Sequence, residues 1–550
     1  MASKWASYDT IIIGAGSAGC VLAARLSEDP DHQVLLLEAG PRDNSMVVHM
    51  PAGVGSLLKS KGPHNWGFET EGQRHLDGRR LYWPRGKGLG GSSSINGMIY
   101  IRGHARDYDM WRQQGLDGWG FADVLPYFKR SETYEGGGSD FHGADGPQYV
   151  STHRSPNPLF RAFVQAGLQA GYPPTDDFNG AQQEGFGRYD FTIKDGRRWS
   201  TASGYLKPAM DRPNLTVMTG AQVTRVLFDG RKAIGVELAH GDRLETIHAR
   251  SEVALCGGVL ASPQMLMLSG VGPADYLRRF DLPVIADLQG VGENLQDHLD
   301  CQVMVESTQP ITLFEYSKPV KQIATGLNYL FFGQGPGRTQ GLESGAFVKS
   351  RPDLEIPDLQ IHFIIALVFS HARIKADRHG FMAHVCQLRP ESRGYVRLKS
   401  ADPAADPLIQ PNYLATEEDR RALREGVKIL REVFAQKAFD PYRGPEIWPG
   451  ATVQSDADID AFIRRTAETI YHPIGTCKMG TDNDAMAVVD NHGRVRGVEG
   501  LRVVDASIMP TLVGGNTNAP TIMMAEKIAD HMRGRPALPP EPVDIAEDRI

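Results

Sequence analysis

Three glycines, Gly14, Gly16 and Gly19, follow the β-branched run Thr10–Ile13 and lead into the apolar stretch Cys20–Leu26. In that setting the first glycine permits a tight turn, the second lets backbone approach a pyrophosphate, and the third lets a helix pack on a strand. Phosphates then sit against the free N–H groups at the start of that helix, where Ser17 and Ala18 lie in the first turn. Glu38 ends the next apolar run, Val34–Leu37, with Ala39 directly behind it. Its carboxylate is placed to accept from a ribose 2′-OH, so the pattern predicts dinucleotide binding; an acid there disfavours NADP and leaves NAD and FAD open. The stretch from Pro84 to Met98 carries Gly91, Asn96 and Gly97 among small residues, whose exposed N–H groups and lack of bulk let the chain pass close to a flat ligand. Trp83, Ile95, Met98 and Tyr100 flank it, which argues for a packed segment rather than a loose one. Among 17 histidines, His472 differs by preceding Pro473, which pushes its backbone out of the helical region and presents it from a loop. Asn516 lies in Gly514-Gly515-Asn516-Thr517, another glycine-loosened loop.

The elements that must hold these residues are partly readable. Thr10–Ile13, the glycine turn, a helix over Cys20–Leu26 and the strand Val34–Leu37 form a β–α–β unit that opens a doubly wound sheet. Strand patterns resume at 215–218, 223–228 and 253–255, with helical periodicity at 263–268. Between residues 41 and 146 few periodic stretches stand out, so that region reads as loop-rich. From about 297 to 386 longer apolar and aromatic runs, Tyr329–Phe332 and Leu359–Phe369, mark a different domain, read as facing a substrate. The clearest helix is 417–435, with Thr416 as N-cap and Leu423, Val427, Leu430 and Phe434 on one stripe. The strand 501–505 and a helix near 521–532 return to the opening style, and the Pro-rich, acidic tail after Arg533 is expected to be disordered.

Composition removes several classes of function. With 550 residues, 41% hydrophobic and 23% charged, the chain can bury a sizeable core and is not a disordered protein. A net charge of −7 offers no basic surface for nucleic acid. Five scattered cysteines with no Cys-x-x-Cys indicate neither a disulfide scaffold nor a metal site, and a reducing cytoplasm fits best. The apolar N-terminal run could pass for a signal peptide, but its glycines fall at offsets that export does not need. No run reaches the roughly 20 residues of a spanning helix, so a soluble protein is expected, with peripheral contact at the inner face of the cell membrane left open.

Taken together, the stretches Gly86–Asp109, Gly258–Gly272, Val291–His298, Ser392–Gly394, Tyr471–Cys477 and Val504–Ser507 resemble the glucose–methanol–choline (GMC) oxidoreductase family over nearly the whole chain. Within the family, the resemblance is closest to bacterial FAD-dependent alcohol dehydrogenases of the alkane-degradation type. Val259 departs from the small or hydroxylated residue usual at its position. The resemblance implies an α/β fold: a Rossmann-like FAD-binding domain assembled from discontinuous segments, with an inserted substrate domain built on an antiparallel sheet flanked by helices. The expected division is 1–155, 216–298 and 466–533 for the FAD side, 156–215 and 299–465 for the substrate side, and 534–550 for the tail. It further implies contacts to FAD from the backbone of Val223, from Gly91, Asn96, Gly97 and Met98 beside the isoalloxazine, and from Asp505, Ala506 and Thr517. Some relatives attach FAD through a histidine where this chain has Ile95, so non-covalent FAD is expected.

By the same carry-over, His472 is the base that takes the hydroxyl proton and Asn516 the partner that orients the hydroxyl; a histidine's pKa of about 6.5 suits the first role. Glu343 matches a position where choline-oxidising relatives carry an acid, although a structural carboxylate is an equal reading; Trp66 and Phe363 are candidate pocket walls, with aromatic core the better reading of each. The leading expectation is oxidation of primary aliphatic or aromatic alcohols to aldehydes, with electrons passed to a quinone or another acceptor. Choline dehydrogenase and an oxygen-using alcohol oxidase are the alternatives. A lyase or photodecarboxylase on the same fold, or a redox-silent FAD scaffold, is disfavoured by the His472–Asn516 pair.

Overall fold

Ile11, Ile12 and the whole of Val34–Leu37 are shielded on both faces, which is why their sequences run apolar without alternation. In the computed structural model, which describes residues 7–546 apart from 153, 242, 371, 372 and 375, Tyr8–Ile13 pairs in parallel with Val34–Glu38 on one side. On its other side it pairs in parallel with the end of the long strand Arg243–Leu255. Leu215–Thr219 extends the parallel set beyond Val34–Glu38, and Leu501–Val503 pairs in parallel with Val253–Leu255. The first half of Arg243–Leu255 leaves this set and runs antiparallel to Lys232–His240, which in turn pairs with Ala221–Asp229. These outer strands have one face towards solvent, and their burial alternates accordingly.

Helices Ser17–Leu26 and Asn518–Met532 pack together beside this sheet. Arg25 grips the fully buried Glu526 through Nε at 2.9 Å and a second guanidinium nitrogen at 2.8 Å, and Tyr205 adds a hydroxyl at 2.7 Å. A bidentate guanidinium–carboxylate pair with further donors keeps that buried charge compensated, so the two ends of the chain are locked into one body.

The second large sheet is antiparallel throughout. Its order is Arg443–Trp448, Leu299–Ser307, Gly380–Gln387, Leu359–Ile364, Ser344–Val348 and Gly185–Arg188, with Glu468–Thr469 pairing at the start of Leu299–Ser307. One face is apolar and packs on the helix Glu417–Phe434, whose Leu423, Val427, Leu430 and Phe434 are all buried. Thr416 caps that helix by accepting from the Asp419 N–H. The other face looks towards the parallel sheet across a cleft.

Two readings from sequence change. The span 41–146 is not merely loops: Ala105–Gln113 and Phe121–Ser131 are helices, each opened by a carboxylate three residues in, Asp107 or Asp123, that reaches back to the N-cap amide. The tail after Arg533 is ordered through residue 546. Leu538 N–H donates to Tyr127 at 2.9 Å, Glu541 N–H to Ala122 at 2.9 Å and Ala546 N–H to Ala181 at 2.8 Å, while Ile545 is buried. Prolines pre-extend this stretch, so laying it along the body costs little further entropy. Residues 547–550 lie outside the described residues.

Candidate active site

Gly14 adopts φ +99°, open to glycine, and its N–H donates to Leu37 O at 2.7 Å. The helix begins at Ser17 with no side-chain cap, leaving its first N–H groups for a ligand. Glu38 accepts from the backbone of Ala15 (2.9 Å), Gly40 (2.7 Å) and Gly88 (2.9 Å), so it staples the glycine turn to the second glycine loop. Two of these bonds fall on Oε1 and one on Oε2, which leaves a lone pair on Oε2 for a ribose hydroxyl. Gly90 N–H completes the join to Ala15 O at 2.7 Å. Asp505 does similar work on the far side: it accepts from Gly258 N, Ser262 Oγ and Ser507 N at 2.6–2.9 Å and ties three segments together.

These segments wall a cavity of about 590 Å³. Gly14, Gly16, Ser17, Ala18, Glu38, Ala39, Gly91, Asn96, Gly97, Met98, Val223, Asp505, Ala506 and Thr517 all line it, as do His472 and Asn516. Gly19 does not; it packs against Gly14 beneath the turn. The buried guanidinium of Arg198 holds Asn96 from behind, through its carbonyl at 2.6 Å and its side-chain oxygen at 2.8 Å. Among the described residues no carboxylate pairs with that charge, and burial brings its pKa down to about 9.

At the other end of the cavity the His472 ring is defined on both sides. Its Nδ1 lies 3.1 Å from His298 Nδ1, and its Nε2 lies 3.0 Å from Asn516 Nδ2. His298 Nε2 faces Leu388 O at 3.1 Å, and a carbonyl only accepts, so His298 carries its proton on Nε2. His298 Nδ1 is therefore an acceptor, and His472 must donate from Nδ1, which leaves Nε2 unprotonated, its lone pair turned to Asn516. Gln360 Nε2 donates to Asn516 Oδ1 at 3.1 Å, so the NH₂ end of Asn516 faces that lone pair. Burial, then His298, His362 and Arg85, hold the His472 pKa well below the usual value, and burial takes His298 down to about 3. A neutral imidazole whose Nε2 accepts only from an amide N–H at the cavity wall can accept a hydroxyl proton once a substrate oxygen takes over that N–H.

Asp297 fixes the backbone of this histidine by accepting from His472 N at 2.8 Å, and is itself held by Thr469 Oγ1 at 2.6 Å and by the Tyr413 hydroxyl. Tyr471, just before it, has φ +72°, an uncommon conformation for a bulky residue and one found where structure is over-determined. Asp297 and His298 sit inside the stretch Val291–His298, but nothing in that stretch announces a partner 174 residues away. We expect His298→Phe to keep FAD, leave KM nearly unchanged and lower kcat by roughly 10- to 100-fold, because His472 loses the acceptor that fixes its tautomer. An unchanged kcat would show that the tautomer is set elsewhere.

Of the three substrate-side candidates, only Trp66 lines the cavity; it stacks on Phe68 with 5.9 Å between centroids, and the Lys87 ammonium lies 4.2 Å over its ring. Glu343 does not reach the cavity. Its carboxylate is buried between Arg188 at 2.9 Å, Ser155 N at 2.6 Å and Thr339 Oγ1 at 2.7 Å, so it is a structural carboxylate. Phe363 points the other way, into an aromatic nest stacked on Phe163 at 4.6 Å and flanked by Phe381 and Phe434. Alternation along the strand gives its neighbours His362 and Ile364 to the cavity instead. Gln302, His384 and His362 stand opposite one another across three strands, with Asp300 beside them bonded to His384. Asp300 Oδ1, Gln302 Oε1 and His362 Nδ1 are buried with no partner among the described residues, although all three residues line the cavity. Buried polar atoms left open in a cleft are what a polar ligand satisfies.

Family models described as GMC oxidoreductase match residues 8–300 and 390–525. This chain belongs to the GMC oxidoreductase family. It is an FAD-dependent enzyme acting on CH–OH donors. Among GMC relatives, the mitochondrial choline dehydrogenase of Mus musculus is 50% identical over 546 residues, covering 98% of this chain and 91% of that protein. Oxygen-dependent choline dehydrogenase 1 of Chromohalobacter salexigens is 51% identical over 542 residues, covering 98% and 97%. The crystal structure of pyridoxine 4-oxidase from Mesorbium loti superposes with a TM-score of 0.87 at 33% identity, covering 96% of this chain and 100% of that one. An Aspergillus oryzae formate oxidase variant studied for FAD modification gives 0.89 at 26% identity, covering 97% and 99%. The walls of the cavity suit FAD. A Cβ built on Gly16 would stand 3.9 Å from its nearest neighbour, and on Gly258 nothing lies within 4 Å, so both backbones are left open to a ligand.

Proposed function

We propose that this chain oxidises choline or a close amino-alcohol analogue to the aldehyde. The observation that carries the substrate is half-identity with choline dehydrogenases across nearly the whole chain, which favours choline over the uncharged primary alcohols expected from sequence. The cavity supports a cationic substrate: Phe68 and Tyr471 supply aromatic wall, and Asp300 supplies a carboxylate oxygen without a partner among the described residues. One observation favours the second reading, an uncharged aliphatic or aromatic alcohol. Glu343 is neutralised by Arg188 outside the cavity, and Leu313, Leu342, Ile364 and Val368 are among the remaining walls.

In this reading Gly14 to Ala18, Glu38, Val223 and the Gly91–Met98 loop hold FAD, with Asp505, Ala506 and Thr517 closing the site. Ile95 offers no nucleophilic atom, so the cofactor is held without a covalent bond. Bound FAD supplies the two-electron acceptor for the hydride that leaves the carbinol carbon. Asn516 donates from its NH₂ group to the substrate oxygen, and His472 Nε2 takes the hydroxyl proton. His298 and Leu388 O hold the imidazole in the tautomer that can do so. The five free, buried cysteines support residence in a reducing cytoplasm.

The test is kcat/KM for choline against 3,3-dimethyl-1-butanol, which has the same shape without the charge, alongside benzyl alcohol and a long primary alcohol, with both a quinone-like dye and oxygen as acceptors. We expect choline to be preferred over its neutral isostere by about 30-fold, the equivalent of the roughly 2 kcal/mol of a desolvated cation–π contact. Asp300→Asn should narrow that ratio. Equal or better turnover of the neutral isostere would overturn the choline reading in favour of the second.

A further inference from the structure

Seven of the twelve large apolar side chains exposed among the described residues fall between Tyr316 and Phe332, so the exposure is concentrated rather than scattered. The helix Pro319–Phe332 carries six of them: Val320 is 79% exposed, Ile323 65%, Leu327 49%, Leu330 58%, Phe331 70% and Phe332 72%. Val320, Ile323, Leu327 and Leu330–Phe331 recur at three- and four-residue intervals, which places them along one side of the helix over about 16 Å. Tyr329, the one buried residue of this helix, anchors it by donating to His49 O at 3.2 Å.

That anchor puts the helix against the segment that carries Ala52, Val54 and Leu58 into the cavity wall, and Leu313, just before the helix, lines the cavity as well. Met46 and Ile374 continue the exposed apolar surface around this rim, where Arg373 Nε donates to Lys59 O. The charges at the rim run against those of the chain. Among the described residues, the ion-pair partners of Lys59, Lys61, Lys318, Lys321 and Arg373 are Glu315 and Asp406, whereas the chain as a whole carries −7.

We propose that the helix Pro319–Phe332 is a docking surface for an anionic phospholipid bilayer, lying in the membrane plane with the cavity rim against the lipid headgroups. An apolar stripe of this length edged by lysines is the pattern of an interfacial helix: the stripe enters the acyl boundary while the lysines stay at the phosphates. The charge also discriminates between occupants. A second copy docking by the same face about a twofold axis would bring two basic rims together, whereas an anionic headgroup layer complements them. The proposal is independent of which alcohol the enzyme takes.

The test uses the full-length, FAD-loaded protein and flotation with phosphatidylcholine vesicles, with and without about 30% phosphatidylglycerol. We expect the protein to float with the anionic vesicles, to float less as salt is raised, and to lose at least roughly tenfold in partitioning in the variant Ile323→Glu/Leu327→Glu/Phe331→Glu. These three side chains lie outside the cavity, so dye-coupled turnover in detergent-free buffer should stay at the parent level and certify the fold. Failure of the parent protein to float with anionic vesicles would overturn the proposal, as would a variant that floats equally well. So would a parent protein that light scattering finds dimeric and a variant it finds monomeric, since a second copy would then cover the helix.

Discussion

His472→Ala is expected to purify yellow, with FAD at the parent stoichiometry, and to turn over about 10²- to 10⁴-fold more slowly, the range a positioned general base contributes. The cofactor should stay because the groups that would hold it at the glycine turn, Gly14, Gly16 and Glu38, belong to other segments of the cavity wall. Turnover should fall because the variant loses the unprotonated Nε2 that stands at the cavity wall beside the Asn516 amide. The pH profile separates this from a merely structural loss. Burial and the neighbouring His298, His362 and Arg85 hold the parent His472 pKa below its usual value, so its base form survives acidification through pH 6.5. Parent kcat/KM should therefore stay level as pH falls through about 6.5, where an ordinary histidine would already be half protonated, and decline only further into acid. Asn516→Asp should move that decline upward, since a carboxylate beside Nε2 favours the imidazolium. Near-parent activity in His472→Ala would remove this residue from the mechanism.

What the sequence made legible and what it did not divide along physical lines. The strand–turn–helix of residues 8–26 and the helix Glu417–Phe434 were readable because local rules decide them: glycine offsets, a cap and a 3.6-residue stripe. Almost every residue expected at the cofactor lines the cavity for the same reason, since backbone approach demands small residues wherever it occurs. The substrate side was not readable because strand alternation decides it. His362 and Phe363 are adjacent, and one residue of register separates a cavity wall from an aromatic core. An aromatic residue type fits either side, and the register makes Phe363 core and His362 wall. Glu343 stayed open between two readings for a related reason, as its partner Arg188 comes from a distant strand and only the paired sheet reveals that the charge is spent. The run Tyr329–Phe332 was apolar in sequence and read as facing a substrate, yet Leu330, Phe331 and Phe332 face outward. Composition records that such residues exist and not which surface they meet.

Gly16→Val and Gly19→Ala should fail in different ways, although both alter the same turn. A Cβ at Gly19 would stand 1.9 Å from the Gly14 carbonyl oxygen and 3.0 Å from its carbon, so the helix would have to move off the strand. Both atoms are backbone, and relief comes only by shifting the turn; the expected cost is about 1–3 kcal/mol or more, visible as a lower thermal midpoint whether or not FAD is supplied. At Gly16 the nearest atom to a built Cβ is Cys256 O at 3.9 Å, ordinary contact, and the residue lines the cavity beside the uncapped helix start. The Cβ of a valine there meets no clash in the protein, and its methyl groups would stand where a pyrophosphate meets the first N–H groups. Gly16→Val should therefore fold, with a circular dichroism spectrum like the parent's, but carry FAD at less than roughly a tenth of parent occupancy by flavin-to-protein absorbance. Adding free FAD should raise the thermal midpoint of the parent apoprotein and leave that of Gly16→Val unchanged, because only binding to the native state shifts the unfolding equilibrium. A yellow, FAD-saturated Gly16→Val protein would mean that the phosphates sit elsewhere, whatever the strand, turn and helix look like.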